Sequence, residues 1–371
     1  RWYSALAIMA VVGVLIGSGN GWANVFFDFN AWFFFLLVFP VYDAFENDSQ
    51  AKFRKLATVA TVGLAISIIQ SLMVLYFFSH FQYEIVWPIY KWIRDTRVGE
   101  ITYAGGGFYR IFFQSQVYSL LAIFPLAVAL SKEKSLRILK NPLFWLFVLS
   151  VSSVLVSFSR SFWLGGAVGV FFFMIIVAIY HRSKIFTVFG SWLAAGALGA
   201  ILVASVVNFP IPHPSGGFSL AGSLADRLNL TGEAAAASRW NLLHPLWQAI
   251  SHETVGFLVG RGFGTAVTYK TFDPRILKSS PDGLQTTYAF EWGWLDIWLK
   301  VGLVGIGFYL AILFQLILKF SRKDIIRSDF GASLAIGIIV LVVVNIFTPY
   351  LNHPLGIGFI VFLSALSETR V

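Results

Sequence analysis

Long apolar runs recur along the whole chain, and two of them read "AILVASVVNF" at 200–209 and "IGIIVLVVVNIF" at 336–347. A soluble domain would collect such residues into one core, whereas here they are spread out as successive segments. A helix that crosses a bilayer needs about 20 mostly apolar residues, and segments of that kind repeat. The chain is 57% hydrophobic and 12% charged, about half the roughly 25% charged residues of an ordinary soluble domain. The expected fold is an all-α, polytopic integral membrane helical bundle.

About ten spans are expected, near 2–18, 25–44, 56–80, 109–130, 142–159, 162–180, 185–208, 294–319, 331–348 and 350–367. They divide the chain into transmembrane helices over 1–208, with an outer loop near 81–108, then a loop over 209–293 and C-terminal transmembrane helices over 294–371. Loops longer than about 15 residues are usually functional or disordered. The 209–293 segment is too rich in Trp and Leu for disorder, so a folded helical cap on the outer, periplasmic face is expected. Its parts are the entry "PIPHPSGG", the helical stretch "GEAAAASRWNLLHPLWQAI" and the glycine-punctuated turn "VGRGFGTAV". The first residues already read as a span, so an N-terminal piece is expected to precede Arg1.

Orientation follows from the basic residues, which favour the cytoplasmic side of short loops. Lys52, Arg54 and Lys55 follow the second span, and Lys132, Lys134, Arg137 and Lys140 the fourth. Arg182 and Lys184 follow the sixth, and Lys319, Arg322, Lys323 and Arg327 the eighth, whereas "GSGNGWAN" and "TPYLNHP" carry no Lys or Arg. Both termini are therefore assigned to the cytoplasm. The net charge of +9 reports topology and requires no nucleic-acid partner.

Three arginines fall on the expected outer side: Arg110 in "GGGFYRIFFQSQVYS", Arg160 in the tight hairpin "SFSRSFWLGG", and Arg239 in "AASRWNLLHPLW". An ionisable group near hydrocarbon is costly and tends to face a cavity or a partner; the alternative for each is a side chain snorkelling to water. A guanidinium stays charged and presents a planar fork that matches phosphate oxygens, so the set reads as anion capture at headgroup depth. Glu291, in "EWGWLDIWLKVGLVG", is flanked by Tyr288, Phe290, Trp292 and Trp294. A desolvated carboxylate there would serve as a base near neutral pH; the competing reading pairs it with a cap arginine. Asp296 and Lys300, spaced i,i+4, are expected to neutralise each other. The six histidines show no HxxxH or HExxH spacing and there is no Cys, so no metal site and no cofactor is expected. His244 and His353 lie beside prolines, and "GRGFG" at 260–264 lacks the strand–helix context of a phosphate loop.

Four segments together resemble the bacterial O-antigen ligase and O-antigen polymerase superfamily. They are "YRIFFQSQVYSLLAIFPLA", "SFSRSFWLGGAVGV", "SRWNLLHPLWQAI" with the following "VGRGFG", and "EWGWLDIWLKVGLVG". Ligases of that family begin the last motif with a His-Asn pair, where this chain has Glu291 and Trp292. The resemblance implies an inverting, metal-independent glycosyltransferase in the bacterial inner membrane with its site facing the periplasm. The donor would be an undecaprenyl-diphosphate-linked glycan, and the acceptor a sugar hydroxyl on another glycan or on lipid A–core. It would make Glu291 the catalytic base and place Arg160, Arg239, Arg110, Arg261 and His244 at the diphosphate or substrate. The alternative class is a membrane transporter or channel, marked by broken helices and charges at mid-bilayer depth.

Overall fold

The computed structural model describes residues 1–46, 49–131, 135–180, 182–212, 222, 234–272, 274–321 and 329–368. Of the basic residues that orient the chain, Lys132, Lys134, Arg322, Lys323 and Arg327 lie outside them, as does most of the "PIPHPSGG" entry. Of the described residues, 79% are helical. In chain order the helices are α1 (Trp2–Gly17), α2 (Trp22–Phe29), α3 (Val38–Glu46), α4 (Ser49–His80) and α5 (Tyr83–Asp95), followed by strands β1 (Gly99–Gly105) and β2 (Phe108–Phe113). Next come α6 (Gln116–Leu130), α7 (Pro142–Ser157), α8 (Arg160–Tyr180), α9 (Ile185–Val207), α10 (Ala234–Ser251) and α11 (Thr254–Val259). The chain continues through β3 (Val267–Lys270), α12 (Pro274–Ser279), β4 (Leu284–Thr287), α13 (Gly293–Phe320), α14 (Asp329–Val344) and α15 (Pro354–Glu368).

Among the described residues six helical stretches are long and apolar enough to cross a membrane: Trp2–Asn20, Trp22–Phe45, Ala51–His80, Arg160–Ile179, Arg182–Val207 and Gly293–Phe320. Four shorter apolar helices, Gln116–Leu130, Pro142–Ser157, Phe330–Val344 and Pro354–Glu368, fall where further spans are expected. Side chains such as Val59, Val62, Ile66, Phe171, Ile179, Leu193, Ile201 and Phe314 remain uncovered, as lipid-facing helix surfaces do. The architecture is that of a helical multi-pass membrane protein.

Two compact units make up the chain. The first gathers Arg1–Ser49, Leu230–Arg322 and Leu341–Val371; the second gathers Gln50–Asn229 and Lys323–Val340.

In the second unit, several polar side chains inside the helical core hydrogen-bond one another. Gln116 is fully buried; its amide donates to Ser71 Oγ at 3.2 Å and its carbonyl oxygen accepts the Phe113 N–H at 3.0 Å. Ser119 donates to Ser153 at 3.2 Å, and Gly199 lets α9 approach Ser152 on α7. Small residues and hydroxyls are the usual means of closing membrane helix interfaces. The expected span 109–130 is corrected at its start, where 108–113 form strand β2 of the antiparallel hairpin β1–β2, with Thr102 opposite Arg110 and Ile101 opposite Ile111. "FYRIFF" has the alternation and aromatic content of a strand. Gly105, Gly106 and Gly107, with φ of 98°, 58° and 79°, supply a turn that side-chain-bearing residues rarely adopt. In the segment 81–108, α5 and β1 occupy most of the residues.

In the first unit, α13 is two helical pieces joined at Gly302, whose φ of 69° and ψ of −178° interrupt the helix. A loop enters at this break. The Arg261 N–H donates to Leu299 O at 2.7 Å and the Phe263 N–H to Gly13 O at 3.0 Å. A Cβ on Gly260 would lie 2.5 Å from Lys300 O, one on Gly262 2.3 Å from Gly17 N, and one on Gly302 2.3 Å from Leu258 O. "GRGFG" is therefore a backbone wedge between α1, α2 and α13, with Phe263 fully buried against Phe29 and Trp32. Beneath it lies an ion triad in which Lys300 pairs with Asp296 at 2.6 Å and also with Asp28, all three buried. The Gly264 N–H donates to Asp28 at 2.8 Å, and the Asn352 amide donates to Asp296.

Gly260→Ala should destabilise the protein by about 2 kcal/mol or more, because the site combines a positive φ with a backbone collision. Gly307→Ala on the same helix α13 meets nothing within 4 Å and should be neutral or stabilising by up to about 1 kcal/mol. Thermal unfolding of the two variants in one detergent checks the contrast.

Candidate functional site

Helix α10 is positioned by its inward residues. Leu242, Leu246 and Ile250, spaced by four, share a buried core with Val267 of β3 and with Phe290 and Leu299. Ser238 fastens the helix to the strand end by accepting the Phe272 N–H at 2.8 Å and a bond from Thr271 Oγ1 at 3.2 Å. The Asn241 amide adds a 3.1 Å bond to Lys270 O. β3 and β4 form a short hairpin with Val267 opposite Thr287. The 209–293 segment is thus helical only in part.

The Trp292 indole N–H donates to Arg239 O at 3.0 Å, which binds the residue before α13 to the early part of α10. Phe290 turns inward and is buried, Trp292 packs between Trp240 and Phe347, and Trp294 donates to Val342 O at 3.1 Å. Glu291, between inward neighbours, points outward and meets Arg239, whose Nε donates to its Oε2. The ion-paired side chains are 40% and 53% exposed for Arg239 and Glu291. The desolvated carboxylate expected from the aromatic neighbours is therefore not formed, because those rings pack into the unit and not around the carboxylate. The competing reading, a pair with an arginine, is what the structure contains, the arginine being Arg239.

Arg261 carries its side chain out of the glycine wedge, with its guanidinium 3.9 Å from Glu253 and its stem against Gly256. His244 sits on the exposed face of α10, which also presents Trp240 and Trp247. His353, ahead of α15, accepts the Leu355 N–H at 3.3 Å and lies edge-on to Tyr350.

Arg110 and Arg160 belong to the second unit. Arg110 is on β2 and not at the mouth of a helix; its Nε donates to Ser157 O at 2.9 Å and its Nη1 to Glu100 at 3.1 Å. The other Glu100 oxygen binds Arg94 at 3.0 Å, and the Arg110 guanidinium stands 5.2 Å over the Phe112 ring. Much of its fork is therefore engaged in tying the hairpin to the end of α7. Arg160 opens α8, two residues after Phe158 takes a left-handed conformation with φ of 46°. Ser159 and Ser161 share a 2.9 Å hydrogen bond on either side of it. The Arg110–Ser157 contact places the Arg110 side chain at the end of α7, three residues before Arg160 in sequence.

Three partners escaped the sequence reading: Asp28, Asn352 and Glu100. Asp28 had a usable signal, being the lone acid in the apolar run "NVFFDFNAWFFF", where an ionisable group needs a partner. Among the described residues no group of three or more His, Asp or Glu side chains could hold a metal ion.

No family model matches the chain, and no curated protein or solved structure shows a significant match to it.

The two ion-pair systems should respond differently to substitution. Glu291→Gln and Arg239→Gln should each cost at most about 1 kcal/mol, as exposed pairs do. Lys300→Met, which strands two buried carboxylates, should cost about 3–5 kcal/mol. Thermal or denaturant unfolding in detergent measures both.

Proposed function

We propose that the protein is a glycosyltransferase acting at the periplasmic face of the bacterial inner membrane. It would transfer or polymerise an undecaprenyl-diphosphate-linked glycan onto a sugar hydroxyl, as an O-antigen-type polymerase or a ligase to lipid A–core. The observation that carries this reading is the Arg239–Glu291 pair, formed by residues 52 apart in the chain and partly exposed. The order and spacing of the four family-like segments support it as well.

In this mechanism the diphosphate of the donor competes with Glu291 for the Arg239 guanidinium. Phosphate oxygens suit that fork as well as a carboxylate does, so donor binding releases Glu291 as an ionised base. The acceptor hydroxyl attacks the anomeric carbon from the face opposite the diphosphate, and its proton passes to the Glu291 carboxylate. The bond between the anomeric carbon and the diphosphate oxygen breaks, the lipid diphosphate leaves with the electron pair, and configuration inverts. Arginines neutralise the charge that develops on the leaving group, with Arg239 and Arg261, both in the first unit, as candidates for that work. His244, on the exposed face of α10, is a candidate for contact with the glycan.

A second reading, transport, is favoured by the break in α13 beside the Asp28–Lys300–Asp296 triad, since broken helices beside buried charge line many transporter sites. Against it, each carboxylate already has Lys300 and a second donor, and the break is filled by the Gly260 loop. An assay with purified protein and a defined lipid-linked oligosaccharide separates the readings. Glycan transfer that falls by about 10²–10⁴-fold in Glu291→Gln, and is also lost in Arg239→Ala, supports the enzyme. Full activity in both variants removes these residues from the site. Solute uptake into proteoliposomes without glycan turnover establishes transport instead.

A further inference from the structure

Helix α5 has more apolar surface than the protein covers. Its inward residues Val86 and Ile93, seven apart, share one buried core with Val74, Leu75 and Phe78 near the end of α4 and with Val203 and Val207 at the end of α9. Both of those helices belong to stretches long and apolar enough to cross a membrane, Ala51–His80 and Arg182–Val207. The two ends are also joined directly, by Tyr76 donating to Ile211 O at 2.8 Å and by His80 lying 2.8 Å from Phe209 O. Helix α5 begins three residues after His80, so it is held at the depth where two spans leave the bilayer.

At that depth the outward residues are informative. Ile85 and Trp92, again seven apart and so on one line of the helix, are 62% and 51% exposed. Glu84, Lys91 and Asp95 lie together about a quarter-turn round the helix from that line, opposite the buried Val86 and Ile93, and are exposed too. An exposed apolar line bearing Trp, flanked by a charged line, suits a helix lying in the membrane interface. The Arg94–Glu100–Arg110 bridge holds the helix to the β1–β2 hairpin, which fixes its rotation and hence which line faces which way.

We infer that α5 lies in the plane of the membrane interface, with Ile85 and Trp92 inserted at the headgroup–acyl boundary of the leaflet where α4 ends. Its partner is the lipid bilayer, and the charged line of Glu84, Lys91 and Asp95 stays in water. This surface is independent of the glycan reading. It would anchor the hairpin that carries Arg110 at a set depth.

The chain contains no cysteine, so single nitroxide labels can be placed without removing any native thiol. Ile85→Cys, Trp92→Cys, Glu84→Cys, Lys91→Cys and Asp95→Cys would be labelled in nanodiscs of phosphatidylethanolamine and phosphatidylglycerol. Collision with oxygen, which partitions into lipid, is then compared with collision with a water-soluble nickel chelate. The expected result is an oxygen-to-nickel ratio several-fold higher at 85 and 92 than at 84, 91 and 95. Equal and high nickel access at all five positions would overturn the inference by showing a solvent-exposed helix. Shielding of 85 and 92 from both reagents would overturn it in favour of a covering protein surface, in this chain or a second copy.

Discussion

An ammonium group with no water around it must find its counter-charges in the chain, and Lys300 finds two. Asp28 comes from α2 and Asp296 from the first turn of α13. The first piece of α13 has its acid near the N-terminus and its lysine just before the break at Gly302, the order that a helix dipole favours at each end. The Gly260 loop then fills the break and ties α13 to α1 through the Phe263–Gly13 bond. Once α13 starts in that place, Trp292 follows, and with Trp292 comes the outward turn of Glu291 towards Arg239. The exposed pair is therefore positioned by a buried one. The buried triad holds the start of α13 in place, and the Arg239–Glu291 pair beside it is partly exposed.

In the second unit satisfied polar groups again mark the working parts. Hydroxyls and one glutamine close the helix interfaces, and the hairpin's arginine reaches across to the end of α7. That contact gives Arg110 a structural reason to exist, whatever its reach towards a ligand. It also shows why an arginine in an apolar context is weak evidence for anion binding taken singly, because a carboxylate and a backbone carbonyl satisfy it equally well.

The helical membrane character was legible because it rests on apolar runs, and run length is a property of local sequence. The i,i+4 relation of Asp296 and Lys300 was legible for the same reason, as was the chance that Glu291 meets an arginine. What sequence did not reveal depends on neighbours far apart in the chain. Asp28 and Asn352 complete the triad from 272 and 52 positions away from Lys300. The "GRGFG" segment reads as a turn, but its role comes from backbone atoms of α1 and α13 that leave no room for a Cβ. "FYRIFF" was absorbed into an apolar span because strand alternation and a short apolar run look alike, and the three preceding glycines were the better guide. The expectation of a dry Glu291 failed because aromatic neighbours in sequence need not surround a side chain that alternates away from them.

The account turns on whether Arg239 and Glu291 do chemistry or only hold each other. Exchanging them, as Arg239→Glu combined with Glu291→Arg, keeps an ion pair at the same place while putting the base and the cation in each other's positions. Glycan transfer from a lipid diphosphate donor should be lost in the exchanged protein while its unfolding temperature stays close to that of the parent. Retained transfer would show that the pair serves only to join α10 to α13, and would contradict the mechanism.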